Sequence, residues 1–97
     1  MHAVVVSVTV NDVDASLEEL RNRVVPRVAG MPGFVAGYWT RKGDSGLSMG
    51  VWESEDAASA AAEMVRSVAP AGVTVDSVEV REVVASRLMS GAERHRP

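Results

Sequence analysis

Near the middle of the chain two β-rich runs, FVAGYWTR at 34–41 and GLSMGVWE at 46–53, are separated only by Lys42, Gly43, Asp44 and Ser45. Strand-like segments joined by so short a polar link pair antiparallel as a hairpin. Each side of that hairpin then has to be covered by what the flanking sequence supplies.

On the N-terminal side, AVVVSVTV at 3–10 alternates as a strand, with Val4, Val6, Val8 and Val10 on one face and Ala3, Val5, Ser7 and Thr9 on the other. Asp12 or Asp14 can cap a following helix whose apolar stripe is Val13, Leu17, Leu20, Val24 and Val28, with Glu18, Glu19, Arg21 and Arg23 on its wet side. Pro26 should kink or end that helix, and Met31, Pro32 and Gly33 close the unit. On the C-terminal side Ser54 starts a second helix, with Glu55 and Asp56 in the first turn, where carboxylates complement the helix dipole. Its alanine-rich body can lie close to a sheet, and Pro70 and Gly72 stop it. The last strand runs from Val73 to about Ala85. Its valines change parity between Val75 and Val78, which predicts a bulge near Asp76 and Ser77.

The order βαββαβ makes an α+β, ferredoxin-like sandwich: a four-stranded antiparallel sheet with two helices on one face. Residues 1–86 form the one domain and 87–97 a loose tail. At 97 residues such a domain buries only about 60 to 65% of the surface its unfolded chain exposes, so a second subunit would add stability.

A symmetric hairpin pairs Trp39 with Ser48, Gly37 with Gly50 and Val35 with Trp52. The alternate rows are Ala36 with Val51, Tyr38 with Met49 and Thr40 with Leu47. Assigning these alternate rows to the helix-side core leaves Trp39 and Trp52 on the open face, beside Ser7 and Thr9 and around a depression made by the two glycines. Two indoles on a sheet surface mark an interface or a ligand site, and two copies packed sheet to sheet would cover them. A one-residue slip in register would exchange the rows.

The net charge of −3 and the lack of a Lys/Arg stripe argue against nucleic acid, which is held by clustered cations. No apolar stretch reaches the roughly 20 residues of a membrane span, and the N-terminus has no signal-peptide pattern. No membrane association is expected, and the cytoplasm is the default location. The chain has no cysteine, so disulfides and thiolate metal sites are excluded.

The segment MPGFVAGYWTR, then a hairpin, then GVWESEDAASAAAEM, resembles the antibiotic-biosynthesis-monooxygenase (ABM)-like branch of the dimeric α/β barrel superfamily, over nearly the whole chain to about residue 85. The resemblance implies a homodimer with facing sheets, and a pocket between sheet and helices or near the interface. The superfamily includes cofactor-independent quinol oxygenases, haem-degrading monooxygenases, isomerases, decarboxylases and members without known activity, so fold alone does not choose a reaction. Haem degraders of this branch carry an Asn on the first strand and a Trp and a His on the second helix. Here the first strand offers Ser7, positions 58 and 61 are alanine, and residues 54–69 contain no His. Neither haem nor another cofactor is expected.

A cofactor-free oxygenase needs an apolar pocket for an electron-rich aromatic and a few polar groups for its anion. Trp39, Trp52, Tyr38, Asn11 and Arg41 are residue types of that kind, and Ser7 joins them as a candidate for the pocket or the interface. The same indoles read more simply as interface anchors, and Arg41 as a solvated charge. His2 could act as a general base or be an ordinary terminal residue, and His95 falls in the tail. No His, Asp or Glu set has metal-ligand spacing, and Glu53, Glu55 and Asp56 are accounted for by the helix start. Gly43 and Gly46 belong to a turn. Three functions remain open: a cofactor-independent monooxygenase acting on an aromatic or quinol, a non-catalytic dimer that binds or senses a small apolar or aromatic ligand, and an assembly module without a ligand.

Overall fold

The alternating valines form β1 (His2–Val10) in a computed structural model that describes residues 1–67 and 71–87. The chain turns at Asp12, whose carboxylate accepts from the Ala15 amide at 3.1 Å and so caps α1 (Val13–Glu19). Pro26 lacks an N–H, and in a regular α-helix its ring would collide with the carbonyl of Asn22. The helix does not stop there. The turn before it widens into a π turn, Leu20–Val24, in which the Val25 amide donates to the Leu20 carbonyl. Regular helix then resumes as α2 (Val25–Ala29). The expected interruption takes the form of a widened turn inside a continuous helical arm.

After Gly33, which has φ 82°, come β2 (Phe34–Lys42) and β3 (Ser45–Trp52). Their link is tighter than four residues, because Lys42 pairs with Ser45 and only Gly43 and Asp44 turn. Gly43 has φ 61° and Asp44 a negative φ, the pattern of a type II′ turn. Ser54 caps α3 (Glu55–Ser67), its hydroxyl accepting from the Ala57 amide, and β4 (Val73–Glu82) completes the chain. The strands lie in the order β2-β3-β1-β4, all antiparallel. The architecture is the α+β, ferredoxin-like one.

The bulge in β4 falls where the valine parity changes. Ser7 pairs with Ser77 and Val8 with Val75, so Asp76 is extra, and its carboxylate accepts from the Thr9 hydroxyl at 2.8 Å. β4 ends at Glu82, short of Ala85. The expected stop at Pro70 and nearly all of the expected tail lie outside the described residues. Among the described residues no helix is long and apolar enough to cross a membrane.

Within the hairpin, Gly37 pairs with Gly50, Tyr38 with Met49, Trp39 with Ser48 and Thr40 with Leu47, as the sequence predicts. Phe34 rather than Val35 meets Trp52, because an irregularity sets in between Phe34 and Ala36. The expected faces are reversed. β1 pairs His2 with Trp52, Val4 with Gly50 and Val6 with Ser48, and directly opposed residues share a face. Trp39 and Trp52 therefore point with the valines toward the helices. Ala36, Tyr38, Thr40, Leu47, Met49 and Val51 share the open face with Val5, Ser7 and Thr9.

The glycines explain why this arrangement packs. A Cβ on Gly50 would lie 2.5 Å from Cζ3 of Trp52, and one on Gly37 would lie 2.9 Å from Cη2 of Trp39. The depression made by the paired glycines is real, and the two indole rings fill it. Trp52 is 3% exposed among Val4, Val6, Val28, Ala58, Ala61 and Ala62, and Phe34 meets it edge-on with centroids 5.5 Å apart. Small alanines on α3 leave room for the indole between helix and sheet.

Candidate functional site

Burial is uneven along the helix side of the sheet. At the His2/Trp52 end α3 closes on the sheet. Toward the hairpin end α1 and the π turn stand off it and leave a cavity of about 400 Å³, whereas α2 lies against β2. Val6, Val8 and Val10 of β1 and Val73 and Val75 of β4 supply one wall, with Trp39 and Ser48 from the hairpin beside them. Leu17, Leu20, Val24 and Val28 of the helical arm supply the opposite wall, and Met64 and Val65 of α3 also line it. This is the apolar stripe expected to fill the core, and here it is only partly covered. Val28 is buried, whereas Leu17, Leu20 and Val24 are half-buried.

Polar groups are few. Ser16 is buried and its hydroxyl donates to the Val13 carbonyl at 2.9 Å. Glu19, Arg23, Arg27 and Arg41 also line the space, and the three arginines are exposed, which places them at its rim. Arg23 pairs with Glu19 at 3.0 Å, and the Arg41 guanidinium donates to the Gly43 carbonyl at 2.8 Å. A cavity of this size with an apolar interior and a polar mouth suits a small organic molecule.

The structure divides the residues singled out from the sequence. Trp39 and Arg41 line the cavity. Trp52 does not line it; its ring lies over Gly50 in the closed core beside the cavity, as that of Trp39 lies over the paired Gly37. Tyr38 and Ser7 sit on the open face. Asn11 ties strand ends together, its amide side chain donating to Thr74 Oγ1 at 2.8 Å and its backbone N–H to the Gly72 carbonyl. His2 is away from the cavity too, with Nε2 at 3.4 Å from a Glu55 carboxylate oxygen. His2 Nδ1 and Trp52 Nε1 are buried there without a hydrogen-bond partner among the described residues. No set of three or more His, Asp or Glu among the described residues could hold a metal ion.

No protein-family model, curated protein or solved structure matches this chain. Three residues at the rim of the cavity are not candidates from the sequence: Glu19 and Arg23 read as the wet side of the helix, and no motif singles out Arg27. The available signal was their spacing. Positions 16, 19/20, 23 and 27 run along the edge of the apolar stripe, where a long charged side chain borders whatever the stripe covers.

Proposed function

We propose that this chain is a small-molecule domain of the ABM-like type, which takes an apolar or aromatic ligand into the cavity between its sheet and the helical arm. The observation that carries this reading is the cavity itself: about 400 Å³ of space with aliphatic walls and one indole. A 97-residue chain has little core to spare, so apolar side chains left partly uncovered favour a ligand over empty space. The reading is tested by thermal denaturation against a panel of small aromatics and quinols. A ligand selective for the folded state raises Tm; no response across the panel, in wild type and in Trp39→Ala alike, would overturn it.

Cofactor-independent oxygenation of a quinol is the second reading. It is favoured by Trp39 and Arg41 lining one cavity, an aromatic wall beside a cation that could stabilise a phenolate. Oxygen consumption with the same quinols separates it from plain binding.

The working unit in this proposal is a homodimer in the cytoplasm, joined through the open faces of two sheets. The support comes from residues other than the tryptophans. Tyr38, Leu47 and Met49 are 69%, 54% and 46% exposed and neighbour one another on β2 and β3, an apolar patch of the kind that marks interfaces. The β4 side of that face is charged, with Glu79 and Arg81 paired to each other.

A further inference from the structure

Resting on the cavity reading above, we infer that the ligand is an amphiphilic oxyanion: an apolar body held among the valines, leucines and Trp39, and a carboxylate or phosphate head held at the rim by Arg27 and Arg41. The charges at the mouth are lopsided. Three arginines line the cavity and one carboxylate, Glu19, stands against them, engaged with Arg23. Arg27 and Arg41 make no ion pair with any described residue. This excess of positive charge stands on a chain whose net charge is −3, so it is not the average character of the surface.

Position reinforces the charge. Arg27 is on α2 and Arg41 is at the hairpin end of β2, so the two guanidiniums approach the mouth from the helical arm and from the sheet. Arg41 is oriented by its bond to the Gly43 carbonyl, which occupies only part of its five-donor fork. Guanidiniums recognise carboxylate and phosphate through paired N–H donors. A neutral ligand would gain at most packing and an uncharged hydrogen bond from them, whereas an acid with a hydrophobic body would satisfy wall and rim together. The helical arm that carries Arg23 and Arg27 is also the one widened by the π turn, a feature found frequently at functional sites.

The test is isothermal titration of the full chain with naphthalene-2-carboxylate, its methyl ester and 2-naphthyl phosphate, at 20 and 500 mM NaCl. At low salt the anions are expected to bind about tenfold tighter than the ester, the equivalent of one charge-assisted contact, and the preference should shrink at high salt. Arg27→Gln and Arg41→Gln should each weaken the anions far more than the ester and so remove most of the preference, and the tighter of the two anions names the head group. Equal affinity for acid and ester would overturn the anion inference and leave the cavity reading intact. A preference that survives in both variants would overturn the assignment to these arginines. Binding of none of the three probes would overturn the cavity reading as well.

Discussion

Replacing Gly50 by alanine adds one methyl group to the centre of β3, and the structure places that carbon 2.5 Å from Cζ3 and 2.6 Å from Cη2 of Trp52. Carbon atoms in contact prefer about 3.5 to 4.0 Å, so the indole would have to retreat by about an ångström. It has nowhere to go. Trp52 is 3% exposed, with alanines of α3 and the ring of Phe34 packed in the same core. Alanine would otherwise help a strand interior by about 0.5–1 kcal/mol over glycine. Overpacking of a tight core costs about 1–3 kcal/mol, and a contact this short belongs at the upper end, so the net loss is about 2 kcal/mol. Urea unfolding followed by circular dichroism at fixed protein concentration, so that any association stays constant, should show the midpoint falling by about 1 M with the slope unchanged. In a Trp52→Phe background the same substitution should cost clearly less, because the two side chains are in contact and their effects do not add. A midpoint in Gly50→Ala equal to or above wild type would refute the placement of the indole between sheet and helix. An indole on the open face could swing into solvent, and only the gain in strand propensity would remain.

Trp39→Ala should enlarge the cavity, lower stability by about 2 kcal/mol because the ring is only half-buried, and weaken ligand binding at least about tenfold, read by denaturation and titration. Asp12→Ala removes the cap of α1 and should cost about 1 kcal/mol in urea unfolding. Leu47→Glu puts a charge on the exposed sheet patch and should shift a dimer toward monomer in sedimentation, with the monomer's circular dichroism unchanged. Pro26→Ala restores an N–H and removes the clash behind the π turn. Helix closing to a regular turn would rotate Arg23 and the residues before it, Leu17 and Leu20 included, by about 100° relative to α2, so ligand affinity should fall and apolar burial be lost with it, measurable by titration and urea unfolding.

Local chemistry made the register of the sheet legible and left its orientation hidden. The short polar turn determined which residues of β2 and β3 oppose each other, and the valine parity change located the extra residue at Asp76. Which row faces the helices depends on how β1 pairs with β3 across about forty intervening residues, and both rows are apolar enough to serve. The decisive clue was steric: Gly37 and Gly50 lie two residues from tryptophans on their own strands, where a bulky ring can fold back over a missing side chain. Of the candidate site, Trp39 and Arg41 were visible as residue types. Arg23 and Arg27 were obscured because surface charge on a helix ordinarily means only solvent.

The two tryptophans, expected on the open face and found on the helix side, give the protein two optical reporters with different surroundings. Trp39 emits from the wall of the cavity and Trp52 from the dry layer under α3. A soluble quencher admitted through the mouth would dim the first and leave the second bright until the fold opens. In single-tryptophan variants, Trp39 emission would track occupancy of the cavity and Trp52 emission the integrity of the core, two events that a single scan of the wild-type protein would blend.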